Sequence, residues 1–266
     1  MTEVVHSELD AGICTLTLDS PANRNALGAT LVDQLLRGLR AAEANSEVRA
    51  VVLTHTGGTF CAGADLSEAL AGGASVEEAS SVGTGAMLDL IESILELPKP
   101  VIAKVDGHVR AGGFGLLGAA DIVLAGPGCT FALTESRLGL APSVISLVLL
   151  PKLTARATGR YFLTGETFDP ATAVRIGLVS EAFASGDDLD AGLATVLAGL
   201  RRASPQGLAA SKSLATAGVL AEFTRHARQR ADESAELFAS EEAREGMTAF
   251  LTKRRPHWDL SESGES

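Results

Sequence analysis

The segment MLDLIESILELPKPVIAKV, residues 87–105, combines two patterns of secondary structure. Residues 87–97 repeat apolar side chains at the spacing of one helical face, and the pattern stops before Pro98, since a residue that precedes proline disfavours the helical conformation. Val101–Val105 is a short apolar run, typical of a buried strand. The segment predicts a helix followed directly by a strand, the repeating unit of α/β folds.

The residues before this segment show the same alternation. Residues 13–18 predict a strand with Cys14, Leu16 and Leu18 on one face, and residues 50–54 predict a more fully buried strand. An amphipathic helix is predicted between them, its apolar face formed by Leu31, Val32, Leu35, Leu36 and Leu39. Strands and helices alternating in this order predict an α/β core.

The residues after about position 185 are mostly helix formers. They predict four helices, over residues 189–200, 205–217, 222–240 and 241–251. We therefore expect a core of residues 1–200, which carries the site, and a helical C-terminal region of residues 201–266. Residues 70–81 are small and polar without an apolar period, and predict a mobile surface loop with at most a short helix.

Composition limits the classes of function. The chain has 266 residues, 46% of them apolar, and a formal net charge of −11. This apolar content excludes collagen-like and disordered chains. Because negative charge opposes binding to polyanions, and one Trp and one Tyr offer few rings for base stacking, we expect neither nucleic acid nor an acidic membrane surface as a partner.

The three cysteines, Cys14, Cys61 and Cys129, are widely spaced and form no CxxC motif. They predict neither a disulfide framework nor a zinc site, and we expect a reducing cytoplasm and no metal. The N-terminus has acidic residues where a signal peptide is basic, and no apolar run approaches the roughly 18 residues that span a bilayer. We therefore expect a protein that is neither exported nor anchored.

Two turns of small residues are candidates for ligand binding. One is FCAGADL at residues 60–66, shortly after a predicted strand, and the other is Ala111-Gly112-Gly113, before a predicted apolar helix. Small residues let a ligand approach the main chain, and two backbone N–H groups that converge on one oxygen would form an oxyanion hole. Two ordinary strand-to-helix turns remain an equally good interpretation.

Glu135 is the candidate general acid or base. It is the only Glu between Gly107 and Leu153, a largely apolar stretch, and burial there would raise its pKa toward neutrality. The alternative is a surface Glu paired with Arg137. Ser143 or Ser146 with His108 could be proposed as a hydrolase pair, but the chain has no GxSxG motif. No GxGxxG motif follows the first predicted strand, and the chain has no GxxxxGK[ST] motif, so neither nucleotide-binding fold is supported.

Nine short motifs in register resemble the enoyl-CoA hydratase/isomerase (crotonase) superfamily over nearly the whole chain. They are PANRNAL at 21–27, FCAGADL at 60–66, KPVIA at 99–103, AGG at 111–113, DI at 121–122, LTG at 163–165, GLV at 177–179, SP at 204–205, and AFL at 249–251 with KR at 253–254. The resemblance implies a crotonase (ClpP-like) α/β spiral of βαβ units followed by a helical C-terminal trimerisation region. It also implies a homotrimer, or a hexamer formed by two trimers.

The resemblance further implies the position of an acyl-CoA thioester. The thioester oxygen would lie between the N–H groups of Ala64 and Gly112, which would stabilise an enolate-like intermediate. CoA would be bound as part of the substrate, with no permanently bound cofactor. The residues implied to line the CoA channel are Arg24, which we expect to meet phosphate, Ala26, Leu27, Ala62, Ala64, Asp65, Leu66 and Gly112.

The sequence departs from the family pattern at two places. Typical hydratases of the family carry two glutamates, and here the first position is Gly115 while the second is Glu135. The glycine-rich stretch that usually follows the second Glu is PSVIS at residues 142–146, so Pro142 and Ser143 would meet the substrate. These features look most like the single-glutamate hydratases that act on methylglutaconyl-CoA and isohexenylglutaconyl-CoA.

The resemblance therefore predicts a lyase that adds water across the 2,3 double bond of an enoyl-CoA thioester, with Glu135 as acid and base. The substrate would be of the branched glutaconyl type. Arg110 would either pair with the distal carboxylate of that substrate or lie on the outer rim beside a surface acid. The alternatives are a Δ3,Δ2-enoyl-CoA isomerase, an acyl-CoA hydrolase, and a catalytically weak acyl-CoA binding protein.

Overall fold

The computed structural model describes residues 2–65 and 76–261 of the chain. The elements of the first half are β1 (Val5–Asp10), β2 (Ile13–Leu18), α1 (Ala29–Ala44), β3 (Ala50–His55), β4 (Thr59–Cys61), α2 (Val76–Glu96), β5 (Val101–Val105), β6 (His108–Arg110), α3 (Gly112–Ala119), β7 (Ile122–Ala125) and β8 (Phe131–Ala132). The elements of the second half are α4 (Ser143–Leu149), α5 (Ala155–Thr164), α6 (Pro170–Ile176), β9 (Glu181–Ala182), α7 (Gly186–Arg202), α8 (Pro205–Phe238) and α9 (Glu241–Leu251). Two 3₁₀ helices span Pro21–Asn23 and Glu135–Leu138.

A six-stranded sheet forms the centre of the fold, in the order β1-β2-β3-β5-β7-β9. The β1–β2 pair is antiparallel and the other pairs are parallel. Strands β2, β3 and β5 and helix α1 lie where the sequence predicts them, so the α/β core is confirmed.

Helices cover both faces of this sheet. Cys14, Leu16 and Leu18 of β2 point into the main core, which α1 and α2 also line. Ile13 of β2 and Ala50 and Val52 of β3 lie on the opposite face of the sheet, in a second cluster with Leu189 and Leu197 of α7. Because the first four residues of β3 are buried on both faces of the sheet, they form a continuous apolar run, AVVL at residues 50–53.

A second, smaller sheet consists of the short parallel strands β4, β6 and β8. Cys61 of β4 pairs with Val109 of β6, and Arg110 of β6 pairs with Ala132 of β8. Strands of two or three residues are too short for an alternating pattern, so the sequence does not predict this sheet. Its importance lies in the residues that follow each strand.

The C-terminal part is helical, as predicted, but the prediction of a break between residues 217 and 222 is wrong. Helix α8 runs without interruption over 34 residues. Gly218 suggests a break, yet the neighbouring Val219 and Phe223 are buried in the main core. Their packing outweighs the cost of about 1 kcal/mol for one glycine in a helix.

The prediction of a loop over residues 70–81 is wrong from Val76 onward, because α2 begins there. Residues 70–75 lie outside the described part of the chain. The C-terminal half of α2 is anchored in the core by Leu90, Ile91 and Ile94. Once a helix is nucleated, each added residue gains a hydrogen bond at little cost, so the anchored half extends through a polar segment.

Among the described residues, no helix is long and apolar enough to cross a membrane, and no group of three or more His, Cys, Asp or Glu side chains could hold a metal ion. Cys14, Cys61 and Cys129 are buried free thiols.

Candidate active site

The three candidate groups predicted from sequence follow the three strands of the small sheet. Ala64 comes three residues after the end of β4, Gly112 two residues after β6, and Glu135 three residues after β8. Because the strands are parallel and neighbouring, their carboxyl ends meet at one edge, and adjacent strands lie about 4.8 Å apart. The fold therefore brings the two small-residue turns and Glu135 to the same place.

The two turns touch each other. A Cβ atom at Gly112 would lie 3.6 Å from Gly63 Cα, and a Cβ atom at Gly63 would lie 2.6 Å from Ala111 Cβ. Gly63 has a φ of +95°, which L side chains rarely adopt. Ala111 also has a positive φ, 43°, a strained conformation that immediately precedes the N-terminus of α3. These two backbone conformations place the turns in contact.

Backbone N–H groups of both turns are available to a ligand. Leu27 and Ala64 form an isolated parallel β-bridge. Leu27 N–H donates to Gly63 O at 2.7 Å, and Asp65 N–H donates to Leu27 O at 3.5 Å. In an extended segment successive N–H groups point to opposite sides, so the N–H of Ala64 faces away from Leu27. Within residues 2–65 and 76–261, no acceptor is bonded to the N–H of Ala64 or of Gly112.

Asn25 holds the segment that pairs with the first turn. It is fully buried; its Oδ1 accepts a hydrogen bond from Ser20 N–H (2.7 Å), and its Nδ2 donates to Thr59 O (2.8 Å). Arg24 and Asn25 both have positive φ. The sequence signal for this turn is the Asn itself, because Asn tolerates the left-handed conformation and bonds to the backbone.

The residues implied to line a CoA channel are brought together by backbone hydrogen bonds. Ala62 N–H donates to Arg24 O (3.2 Å), next to the bridge between Leu27 and Ala64. The Arg24 side chain is exposed, Ala26 is buried, and Asp65 accepts a hydrogen bond from Asn23 Nδ2 (2.9 Å). Leu66, also implied to line this channel, lies outside the described residues.

The carboxyl group of Glu135 has the properties of a proton donor and acceptor near neutral pH. Its Oε2 atom is buried and has no hydrogen-bond partner among the described residues. Burial raises the pKa of Glu135 to about 7. The alternative of a surface pair with Arg137 is wrong, because Arg137 Nε donates to Thr164 O at 2.9 Å instead.

Helix α9 fixes the short helix that carries Glu135. A Cβ atom at Gly246 would lie 2.5 Å from Leu138 O, and one at Gly139 would lie 2.7 Å from the Glu242 carbonyl carbon. The backbones are thus in direct contact, which only glycine permits at both positions. The C-terminal helix therefore supports the site as well as the fold.

Apolar side chains occupy the space beside Gly115, where typical hydratases of the family carry a second carboxylate. A Cβ atom there would lie 2.7 Å from Met87 Sδ and 3.0 Å from Ile145 Cγ2, both shorter than van der Waals contact. Neither Met87 nor Ile145 can be assigned a role from the sequence pattern, since each belongs to an ordinary apolar face. The space that a side chain at position 115 would enter is already filled by apolar atoms.

Comparison with known proteins decides the family. A model of the family described as "Enoyl-CoA hydratase/isomerase" matches residues 8–261. The chain belongs to the enoyl-CoA hydratase/isomerase family. It is 34% identical over 256 residues to a Rhodobacter capsulatus protein named "Probable enoyl-CoA hydratase", covering 96% of this chain and 97% of that protein.

Two further relatives of this family extend the comparison. The 2,3-dehydroadipyl-CoA hydratase of Escherichia coli is 31% identical over 258 residues, covering 96% of this chain and 98% of that protein. The crystal structure of an enoyl-CoA hydratase from Mycobacterium avium superposes with a TM-score of 0.89 at 53% identity, covering 97% of this chain and 100% of that one. The chain is thus an enzyme of the crotonase superfamily and has its fold.

Two residues that the family resemblance assigns to substrate, Pro142 and Ser143, border a cleft. This cleft has a volume of about 580 Å³ and lies between the start of α4 and the last turns of α8, where its lining includes Leu237. Ser143 is buried, and its carbonyl accepts a hydrogen bond from Ser146 Oγ at 2.6 Å. The lining of this cleft includes none of Ala64, Gly112 and Glu135, so a substrate contact of Pro142 and Ser143 stays a prediction.

Among the described residues, Arg110 forms no ion pair with an acidic side chain. The prediction of an ion pair at the outer rim is therefore wrong. Its guanidinium donates to Val109 O (2.8 Å), to Thr130 O (2.7 Å) and to Thr130 Oγ1 (2.8 Å). Burial lowers the pKa of Arg110. These bonds tie β6 to the turn before β8.

The hydrolase pair considered from sequence does not form. His108 is exposed and bonds through Nδ1 to Thr130 Oγ1 at 2.8 Å, while Ser146 Oγ donates within its own turn. Cys61, beside the first turn, is not an alternative nucleophile, because burial raises the pKa of its thiol to about 12.

Proposed function

We propose that this enzyme adds water across the 2,3 double bond of an enoyl-CoA thioester. The carboxyl group of Glu135 carries the proposal, since its Oε2 atom is buried without a hydrogen-bond partner among the described residues and its pKa is raised to about 7. It lies at the same sheet edge as the two unbonded N–H groups of Ala64 and Gly112. A base and an oxyanion hole at one edge are the components that this reaction requires.

In the proposed reaction, the thioester oxygen accepts hydrogen bonds from the N–H groups of Ala64 and Gly112. Ionised Glu135 takes a proton from water, and the hydroxide oxygen forms a bond to C3. The π electrons move through C2 to the thioester oxygen, where the two N–H groups stabilise the resulting enolate. Protonated Glu135 then returns the proton to C2, which completes the hydration and restores the carboxylate.

A single carboxyl serves both proton transfers in this proposal. Position 115, where typical hydratases of the family carry the first glutamate, is glycine here and is closed by Met87 and Ile145. A pKa near 7 suits this double use, because such a group is ionised and protonated to similar extents at neutral pH.

We propose that CoA follows the backbone of residues 24–27 and 62–66, including Arg24, Ala26, Leu27, Ala62, Asp65 and Leu66. The exposed Arg24 supplies positive charge for a phosphate on a chain whose net charge is −11. The molecule enters as part of the substrate, and the proposal includes no permanently bound cofactor.

The acyl group in the finer form of the proposal is of the branched glutaconyl type. Arg110 is the candidate partner for its distal carboxylate, because a guanidinium has five N–H donors and those not bonded to Val109 and Thr130 remain for a ligand. Arg110→Ala should lower kcat/KM for a glutaconyl thioester more than for crotonyl-CoA. Equal losses would remove Arg110 from the proposal.

The second candidate is a Δ3,Δ2-enoyl-CoA isomerase. The glycine at position 115 favours it as much as it favours a hydratase, because a single carboxyl group can carry a proton between C4 and C2. Thioester hydrolysis and binding without turnover are further alternatives. Product analysis with saturated, 2-enoyl, 3-enoyl and 3-methylglutaconyl thioesters separates them. A 3-hydroxyacyl product supports hydration, a moved double bond supports isomerisation, and free CoA thiol supports hydrolysis.

We also propose a homotrimer, or a hexamer of two trimers, in the cytoplasm, with residues 201–266 forming the assembly region. The large apolar side chains exposed on α8 and α9 support this assignment; they are Leu214, Phe250 and Leu251. Sedimentation equilibrium tests it, and a monomer at micromolar concentration would contradict it.

A further inference from the structure

Met87 lies across the turn of α3 that connects the two functional positions of that helix. A Cβ atom at Gly112 would lie 2.9 Å from Met87 Cε, and one at Gly115 would lie 2.7 Å from Met87 Sδ. Three residues of an α-helix advance about 4.5 Å along its axis, so Gly112 and Gly115 are one turn apart on a similar face. The thioether of Met87 therefore covers this whole turn.

The exposure of Met87 distinguishes it from its neighbours on α2. Met87 retains 8% of its accessible surface, whereas Leu90 and Ile91, on the next turn, retain 0%. Met87 is therefore at the border between the core and the site, and Leu90 and Ile91 are wholly within the core. A flexible, apolar thioether at such a border adapts its shape to what lies beside it.

The position of Gly112 places the acyl group beside this thioether. In the proposed function the thioester oxygen binds the Gly112 N–H, and C2 and C3 follow within three bonds of that oxygen. Since Met87 contacts the turn from Gly112 to Gly115, its side chain faces the stretch where C2, C3 and a C3 substituent would lie.

We propose that Met87 is the specificity-determining residue that limits the branch at C3 of the acyl chain to about the size of a methyl group, the branch that a 3-methylglutaconyl thioester carries. Its thioether occupies the space that a second carboxylate would need and forms an apolar wall there. This inference rests on the proposed function for the position of the substrate. The class of ligand affected is acyl-CoA thioesters that differ in branching at C3.

The test compares three variants with the wild-type enzyme. Met87→Ala removes the wall, Met87→Leu keeps a similar volume, and Leu95→Ala truncates another buried residue of α2, about 12 Å farther along the helix. The value measured for each is the ratio of kcat/KM for 3-ethyl-2-pentenoyl-CoA to kcat/KM for 3-methyl-2-pentenoyl-CoA, two thioesters that differ by one carbon in the branch at C3. Substitution of a residue that only packs in the core would change the kcat/KM values of both thioesters by the same factor.

We expect Met87→Ala to raise this ratio about tenfold or more, the discrimination that one methyl group gives in an apolar pocket. Met87→Leu and Leu95→Ala should leave the ratio within about threefold of the wild type. An unchanged ratio in Met87→Ala, or an equal change in Leu95→Ala, would overturn the inference.

A binding measurement separates this inference from the proposed function. The dissociation constants of 3-methylpentanoyl-CoA and 3-ethylpentanoyl-CoA, measured by titration calorimetry, need no turnover. If the wild type hydrates no thioester but Met87→Ala still shifts the ratio of these constants toward the 3-ethyl ligand, the proposed function is wrong and the inference about Met87 is supported. If the wild type hydrates thioesters and Met87→Ala changes neither the kcat/KM ratio nor the ratio of dissociation constants, the inference about Met87 is wrong and the proposed function is unaffected.

Discussion

Gly63 and Gly112 lie against each other, although they are 49 positions apart in sequence and follow different strands. The Gly112 nitrogen is 3.5 Å from the position that a Cβ atom at Gly63 would occupy. This contact sets the spacing of the two N–H groups that we assign to the thioester oxygen. The site therefore depends on the absence of a side chain at position 63.

Gly63→Ala should disrupt the oxyanion hole. Its methyl group would lie 2.6 Å from Ala111 Cβ, on a residue with a φ of +95°, so the second turn has to move. Loss of one aligned donor lowers kcat by about 10²–10³-fold. The measurement is kcat on the best thioester, and Gly58→Ala is the control, because no atom lies within 4 Å of its added methyl group. Equal activity of the two variants would contradict the assignment.

The rate of hydration should depend on pH through Glu135. Burial raises the pKa of Glu135 to about 7, and only its ionised form accepts a proton from water. As pH falls below 7, protonation should reduce kcat/KM by about tenfold per pH unit, and above 7 the value should reach a plateau. Steady-state kinetics from pH 5 to 9 check this, with the dissociation constant of a saturated thioester as the control for folding. A profile without change between pH 5 and 8 would oppose the assigned role.

A buried ion pair should make a large contribution to stability without taking part in the reaction. Lys212 Nζ of α8 lies 3.0 Å from Asp121 Oδ2 and donates to Ile94 O at 2.8 Å. Asp121 also accepts the Val101 N–H at 2.7 Å. Lys212→Met removes the nearest cation of the partly buried Asp121 carboxylate, which Lys152 still faces, and leaves the Ile94 carbonyl without this donor. It should therefore reduce the free energy of unfolding by about 1–3 kcal/mol.

Urea unfolding measures this loss. The matched control is Lys104→Met, whose pair with the exposed Asp190 should contribute less than about 1 kcal/mol. The double variant Lys212→Met with Asp121→Asn should lose less than Lys212→Met alone. If Lys212→Met and Lys104→Met reduced the free energy of unfolding by similar amounts, the buried ion pair would contribute no more to stability than the exposed pair.

The parts of the fold that sequence predicts are those whose pattern extends over several residues. Strand β3 and helix α1 each have enough apolar positions to define a period, and both lie where expected. Helix α8 is predicted as two helices, whereas the contacts of Val219 and Phe223 that keep it continuous come from elements distant in sequence.

The site was predictable in its residue types and not in its geometry. The small residues around Ala64 and Gly112 and the isolated Glu135 are visible in sequence. The strands that bring them together have two or three residues each, and a Met87 that closes position 115 is indistinguishable in sequence from a core residue. Long-range contacts of this kind leave no local period.

The measurement that tests the central claim most directly is deuterium incorporation during turnover of a 2-enoyl-CoA thioester in D₂O. The wild-type enzyme should give a 3-hydroxyacyl product with one deuterium at C2, detected by mass spectrometry and NMR. Glu135→Gln should bind thioester and form this product at least 10²-fold more slowly, the scale of general acid–base catalysis. A labelled product formed by Glu135→Gln at the wild-type rate, or release of CoA thiol without label at C2, would contradict the account.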